Sequence, residues 1–138
     1  MNTLGFHVQL AGVALLLLCG LHGVFPRRFD WKNDLAQLSQ LNREIFYVHT
    51  AFICLVLILM GLPMLLEPEV FLQPSRLGRW VAAGFTVFWS LRLFVQWFGY
   101  SSELWRGKRL ETLVHLGFTL FWSYLTLLGI TLCRHQWQ

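Results

Sequence analysis

The sequence predicts an all-α integral membrane protein: a four-transmembrane-helix up-and-down bundle with both termini extracytoplasmic and a short interfacial amphipathic helix between spans 1 and 2. Three observations carry this. The 138 residues are 56% hydrophobic and only 13% charged, too apolar to give a soluble domain an aqueous surface. Four apolar stretches, about residues 4–25, 43–66, 77–100 and 108–133, each approach the ~20 residues that cross ~30 Å of hydrocarbon. The basic residues gather between them: Arg27, Arg28, Lys32, Arg43, Arg106, Lys108 and Arg109 flank the first and third connections, against Arg76, Arg79 and Arg134 on the opposite face. The positive-inside tendency makes the first and third connections cytoplasmic, as for a protein of the bacterial inner membrane. The whole chain, 1–138, reads as one transmembrane domain.

The first span is a retained helix and not a cleaved leader, because no basic residue precedes its apolar run and no small-x-small site stands before Pro26. After it, Trp31, Leu35, Leu38, Leu41 and Ile45 recur at three-to-four-residue spacing, the pattern of an interfacial amphipathic helix. Asp30 is placed to cap that helix and Asn42 to cap the second span, with Glu44 in its first turn. Pro63 is expected to bend the second span near its outer end. Pro68 and Pro74 break the next connection, and Ser75 is placed to cap the third span. The net charge of +4 belongs to membrane orientation, so no nucleic acid is expected as a partner. Cys19, Cys54 and Cys133 are isolated within apolar runs and read as free packing thiols.

One internal echo directs the functional reading. VHTAF at residues 48–52 and VHLGF at 114–118 set His49 and His115 each roughly 9 Å inside the cytoplasmic ends of two spans that run the same way. Duplication of one helical hairpin leaves such a trace. Arg92 and Gln96, i,i+4 neighbours on the third span together with Trp89, fall near the same layer, as do His22 and Glu111. On the fourth span Glu111, Thr112, His115, Thr119, Trp122, Ser123 and Thr126 form a polar stripe, with Leu113, Leu116, Leu120 and Leu127 off it. Such a stripe belongs inside, not against lipid.

Two imidazoles at one depth on diagonal helices suit a planar cofactor with axial histidines. The expectation is therefore a cofactor-binding membrane subunit holding haem b between His49 and His115. Arg92 and Gln96 would meet a propionate, Trp89, Trp97 and Trp122 would line the group, and Gly117, with Ala51, Gly20 and Gly23, would leave it room. Its role would be electron transfer between a quinone or partner subunit and another centre.

Four other readings use the same residues. His22, His49, His115 and Glu111 have the ligand types of a transition-metal site (zinc, copper or iron), though without diagnostic spacing. A structural cluster would pair Glu111 with Arg92 and bond the histidines to threonines. A non-catalytic structural or assembly subunit would work with other membrane subunits or as a homo-oligomer in the bilayer. Transport ranks below these, since one candidate layer is thin for alternating access. A lesser site pairs His7 with His135 or Cys133 near the outer face. Trp31, Trp80, Trp105 and Trp137 read as an aromatic belt. No GxSxG, phosphate-loop or HExxH signature is present.

Overall fold

The computed structural model describes residues 3–138, and among them all regular structure is helical. Four helices are long and apolar enough to cross a membrane: α1 (Thr3–His22), α4 (Gln40–Leu66), α6 (Arg76–Phe98) and α7 (Arg109–Gln136), of 20, 27, 23 and 28 residues. Three single-turn helices lie between them, α2 (Phe25–Arg28), α3 (Trp31–Asp34) and α5 (Glu69–Leu72). The chain divides into two compact units, residues Met1–Pro68 and Glu69–Gln138, each built on one helical hairpin.

The first hairpin packs α1 on α4. Val8, Ala11, Gly12, Leu15 and Leu18 are buried at three-to-four-residue spacing along α1, facing Leu57, Gly61 and Met64 of α4. Glycines set the approach. A Cβ on Gly12 would lie 2.7 Å from the Gly61 carbonyl oxygen, and one on Gly61 would lie 3.0 Å from the Gly12 carbonyl oxygen. Small residues at facing positions let helix backbones come this close in a membrane, where packing replaces the hydrophobic effect between helices. Gln9 adds a polar tie, its Nε2 donating to the Leu65 carbonyl at 3.2 Å.

The segment between these helices departs from the expected continuous amphipathic helix. α3 passes into a 3₁₀ turn at Leu35–Gln37, and Leu38 is extended with ψ 154°. Leu41 and Ile45 therefore belong to the second span itself. The physical reason is Ser39, which takes an extended conformation and caps α4 by accepting from the Asn42 amide at 3.5 Å, so Asn42 receives a cap instead of supplying one. Asp30 makes no backbone cap. It sits in the left-handed region at φ 47° and accepts from Asn33 Nδ2 at 2.7 Å, a conformation that Asp tolerates better than most residues. Glu44 lies a turn into α4 and accepts from Gln40 Nε2 at 2.8 Å. The helix continues through Pro63 to Leu66.

The second hairpin packs α6 on α7. Ser75 caps α6 as expected, accepting from the Gly78 amide at 2.9 Å. Phe85 and Trp89 of α6 bury against the apolar face of α7, whose Trp122, Leu125, Leu128 and Leu132 are also buried. At one end Gln136, only 3% exposed, holds the preceding connection. Its Oε1 accepts from the Ser75 amide at 3.0 Å, and its Nε2 donates to the Phe71 and Gln73 carbonyls at 2.8 and 3.1 Å. A buried amide with every arm engaged stabilises an irregular segment whose backbone groups would otherwise lack partners.

Candidate functional site

The fourth-span stripe is the less exposed face of α7 within the second hairpin. Glu111, Thr112, His115, Thr119, Ser123 and Thr126 are half-buried and Trp122 is buried, whereas Leu113, Leu116, Leu120 and Leu127 are exposed. Within the second hairpin this stripe meets Trp89, Arg92 and Gln96 of α6.

Gln96 is the centre of the arrangement. Its Oε1 accepts from Trp122 Nε1 at 3.2 Å and from Arg92 Nη1 at 3.3 Å. Its Nε2 lies 2.9 Å from His115 Nδ1. Two N–H donors on one arm fix which atom is oxygen, so the other arm donates and His115 Nδ1 accepts. Neutral His115 therefore carries its proton on Nε2. The imidazole also stacks on Trp105, with centroids 4.6 Å apart and planes 14° from parallel. Gly107, at φ +79°, allows the connection to turn back, and Thr112 Oγ1 anchors it by donating to the Trp105 carbonyl at 2.7 Å.

Arg92 is half-buried, its guanidinium 4.5 Å from the Trp122 ring centroid and 5.8 Å from that of Tyr100. Trp122 stacks in turn on Trp89, at 5.3 Å and 9°. These rings offer the cation a quadrupole but no opposite charge. Neither a hydrogen bond nor an ion pair joins Arg92 to Glu111 among the described residues, so the structural salt bridge is not made. Glu111 instead occupies the first turn of α7, where a carboxylate complements the helix dipole.

An inventory of this layer shows an excess of donors. A guanidinium has five N–H groups, and the hydrogen bonds of Arg92 engage Nη1 alone. The indole N–H groups of Trp89 and Trp105 are buried without an acceptor, and His115 adds Nε2–H. Both side-chain acceptors at the centre are taken, Gln96 Oε1 by two donors and His115 Nδ1 by the Gln96 amide. A ligand matched to the layer brings acceptors and negative charge.

The histidines of the internal echo have different surroundings. His49 is exposed, and its Nδ1 lies 2.8 Å from the Ile45 carbonyl of its own helix. A carbonyl cannot donate, so Nδ1 carries a proton, and in the neutral ring Nε2 keeps its lone pair. His22 repeats this with the Leu18 carbonyl at 2.8 Å. His49 thus has the tautomer of a metal ligand, and His115 has the opposite one. The threonines do not serve the histidine rings: Thr119 Oγ1 donates to the backbone carbonyl of His115 at 2.8 Å.

Gly117 is exposed with open space beside its Cα, as is Gly20. No group of three or more His, Cys, Asp or Glu side chains able to hold a metal ion occurs among the described residues. At the outer site, His135 Nε2 bonds the Leu72 carbonyl at 2.8 Å and Cys133 Sγ lies 3.3 Å from Thr86 Oγ1, so both are engaged inside the second hairpin.

Trp105 is the residue that spacing missed. Its position near a span end reads as aromatic belt, and only the turn at Gly107 brings its ring onto His115. No protein-family model matches the sequence, and no curated protein or solved structure is significantly similar to it.

Proposed function

We propose that this chain is a small integral membrane subunit that binds an amphiphilic cofactor or ligand through an acidic head group at the Arg92–Gln96–His115 layer. The observation that carries this reading is Arg92, a cation within a membrane-length helix that has no carboxylate partner among the described residues and stands in one layer with further unmet N–H donors. Intramembrane charge is costly, and one left without a counter-charge marks a site by default. A carboxylate or phosphate from a lipid-soluble molecule would accept a forked pair of bonds from the guanidinium. His115 Nε2–H and the two indoles would receive its remaining lone pairs.

Haem b is the specific form of this reading, with a propionate at Arg92 and His49 and His115 as the axial pair. The tautomer of His49 favours it. The tautomer of His115 opposes it, because ligation through Nε2 requires the proton to move to Nδ1. Gln96 would then have to turn its oxygen towards the ring and its NH₂ towards two donors. Each buried donor left unpaired by that turn costs about 1–3 kcal/mol. The acidic-headed ligand without axial ligation by His115 is therefore the reading the geometry supports best. The host is proposed to be the bacterial inner membrane, with the first and third connections cytoplasmic.

The optical spectrum of purified protein and mass spectrometry of its extracted lipophilic ligands test this together. An acidic amphiphile that copurifies with the wild type and is lost from Arg92→Gln supports the proposal. A Soret band lost in both His49→Ala and His115→Ala establishes the haem form and overturns the tautomer argument. A preparation with neither band nor ligand sinks the binding function and leaves a non-catalytic subunit.

A further inference from the structure

The first hairpin carries a second chemical feature, independent of the Arg92 layer. Gly12 and Gly61 mark the closest approach of α1 and α4. Seven residues along α1 from Gly12 stands Cys19, and seven residues back along α4 from Gly61 stands Cys54. Seven residues is about two helical turns, so both cysteines return to the seam that the glycines define, one from each helix. The side chains bear this out: Cys19 Sγ reaches across to the Cys54 carbonyl at 3.7 Å, and its thiol neighbours that of Cys54. Both cysteines are half-buried and not joined in a disulfide. Disulfides form between Cα atoms roughly 4.4–6.8 Å apart, a separation that ordinary helix packing at about 8–10 Å between axes seldom reaches. Two helices drawn together by facing glycines come nearer to it.

We propose that Cys19 and Cys54 form a reversible disulfide across the α1–α4 seam, with a lipid-soluble quinone as the two-electron oxidant. The oxidant class follows from location. Within a membrane-length helix pair, hydrophilic disulfides have poor access, whereas a quinone partitions into the hydrocarbon and concentrates beside the seam. In the step two S–H bonds break and one S–S bond forms, and the two electrons and two protons leave on the quinone, which departs as quinol. The bond links residues 35 apart in sequence and staples the first hairpin at a second point along its seam. A hairpin so closed loses the freedom of its loop in the unfolded chain.

The test uses the full chain in lipid vesicles with a short-chain ubiquinone analogue as the probe. Expected are loss of two hydrogens from the intact mass, a linked peptide joining Cys19 to Cys54, and one quinol formed per chain. Cys133 should stay open to alkylation, and a membrane-permeant dithiol should restore the starting mass. Cys19→Ser and Cys54→Ser should each abolish quinol formation while Cys133→Ser leaves it unchanged. The proposal is overturned if no linked peptide appears, if quinol still forms in Cys19→Ser, or if the linked product joins Cys133 or two chains. None of these outcomes touches the Arg92 reading, whose readout is a ligand bound to the other hairpin.

Discussion

Gln96 decides the chemistry of its neighbours because one amide orients three of them. Replacing it with leucine keeps the volume but leaves Trp122 Nε1 without an acceptor, frees Arg92 Nη1 and removes the donor that holds His115 Nδ1. We expect Gln96→Leu to lower the unfolding free energy in mixed micelles by about 1–3 kcal/mol, the range for stranding a buried polar group, and to weaken ligand retention as well. An unchanged unfolding midpoint would show that the amide does not organise this layer. Much of the layer is legible in the sequence, since Arg92 and Gln96 at i,i+4 must share a face and the polar stripe of α7 must turn inward. The tautomers are not legible. They depend on which atom of Gln96 meets which neighbour, and the echoed VHxxF context of His49 and His115 conceals that one ring bonds its own backbone and the other a side chain of α6.

At the scale of the helices, glycine position separates structural from incidental residues. Gly12→Val would drive a branched side chain into the Gly61 carbonyl and the Leu65 amide, both backbone atoms that cannot swing aside. About 1–3 kcal/mol of destabilisation is expected from such overpacking. Gly20→Ala meets nothing within 4 Å and should be neutral or gain about 0.5 kcal/mol from its better helix propensity. Equal effects of the two substitutions, measured by unfolding in detergent, would remove the close seam from the account. Hydropathy picks out all four membrane-length helices, with ends differing by up to three residues. The first connection departs from its spacing because the apolar period continues past Ser39 into α4, and a period of three to four does not register a one-residue break in the helix. The cap at Ser75 was readable because Pro74 stops the chain immediately before it.

For the whole molecule, four membrane-length helices and an asymmetric distribution of Lys and Arg lead to the proposed orientation. In a cysteine-free background, Lys32→Cys and Lys108→Cys should react with an impermeant maleimide only from the cytoplasmic side, and Glu67→Cys only from the opposite side. Labelling of Lys32→Cys and Lys108→Cys from different sides would mean that the intervening helices do not cross as a pair. Composition alone points to the membrane class, because few charged residues remain to cover a surface. It is silent on the ligand, since an uncompensated arginine specifies a sign and a set of acceptors and not a molecule.

That arginine also has an electrical consequence. A unit charge carried across the full membrane at 100 mV changes energy by about 2.3 kcal/mol, and in the proposed orientation Arg92, several residues inside its helix, stands part of the way through that drop. An acidic head group drawn from the membrane surface to that depth crosses the same fraction of the voltage. Occupancy of the layer would then follow the energised state of the membrane, tightening or loosening as the potential rises, while the neutral amide and indoles beside it would be indifferent.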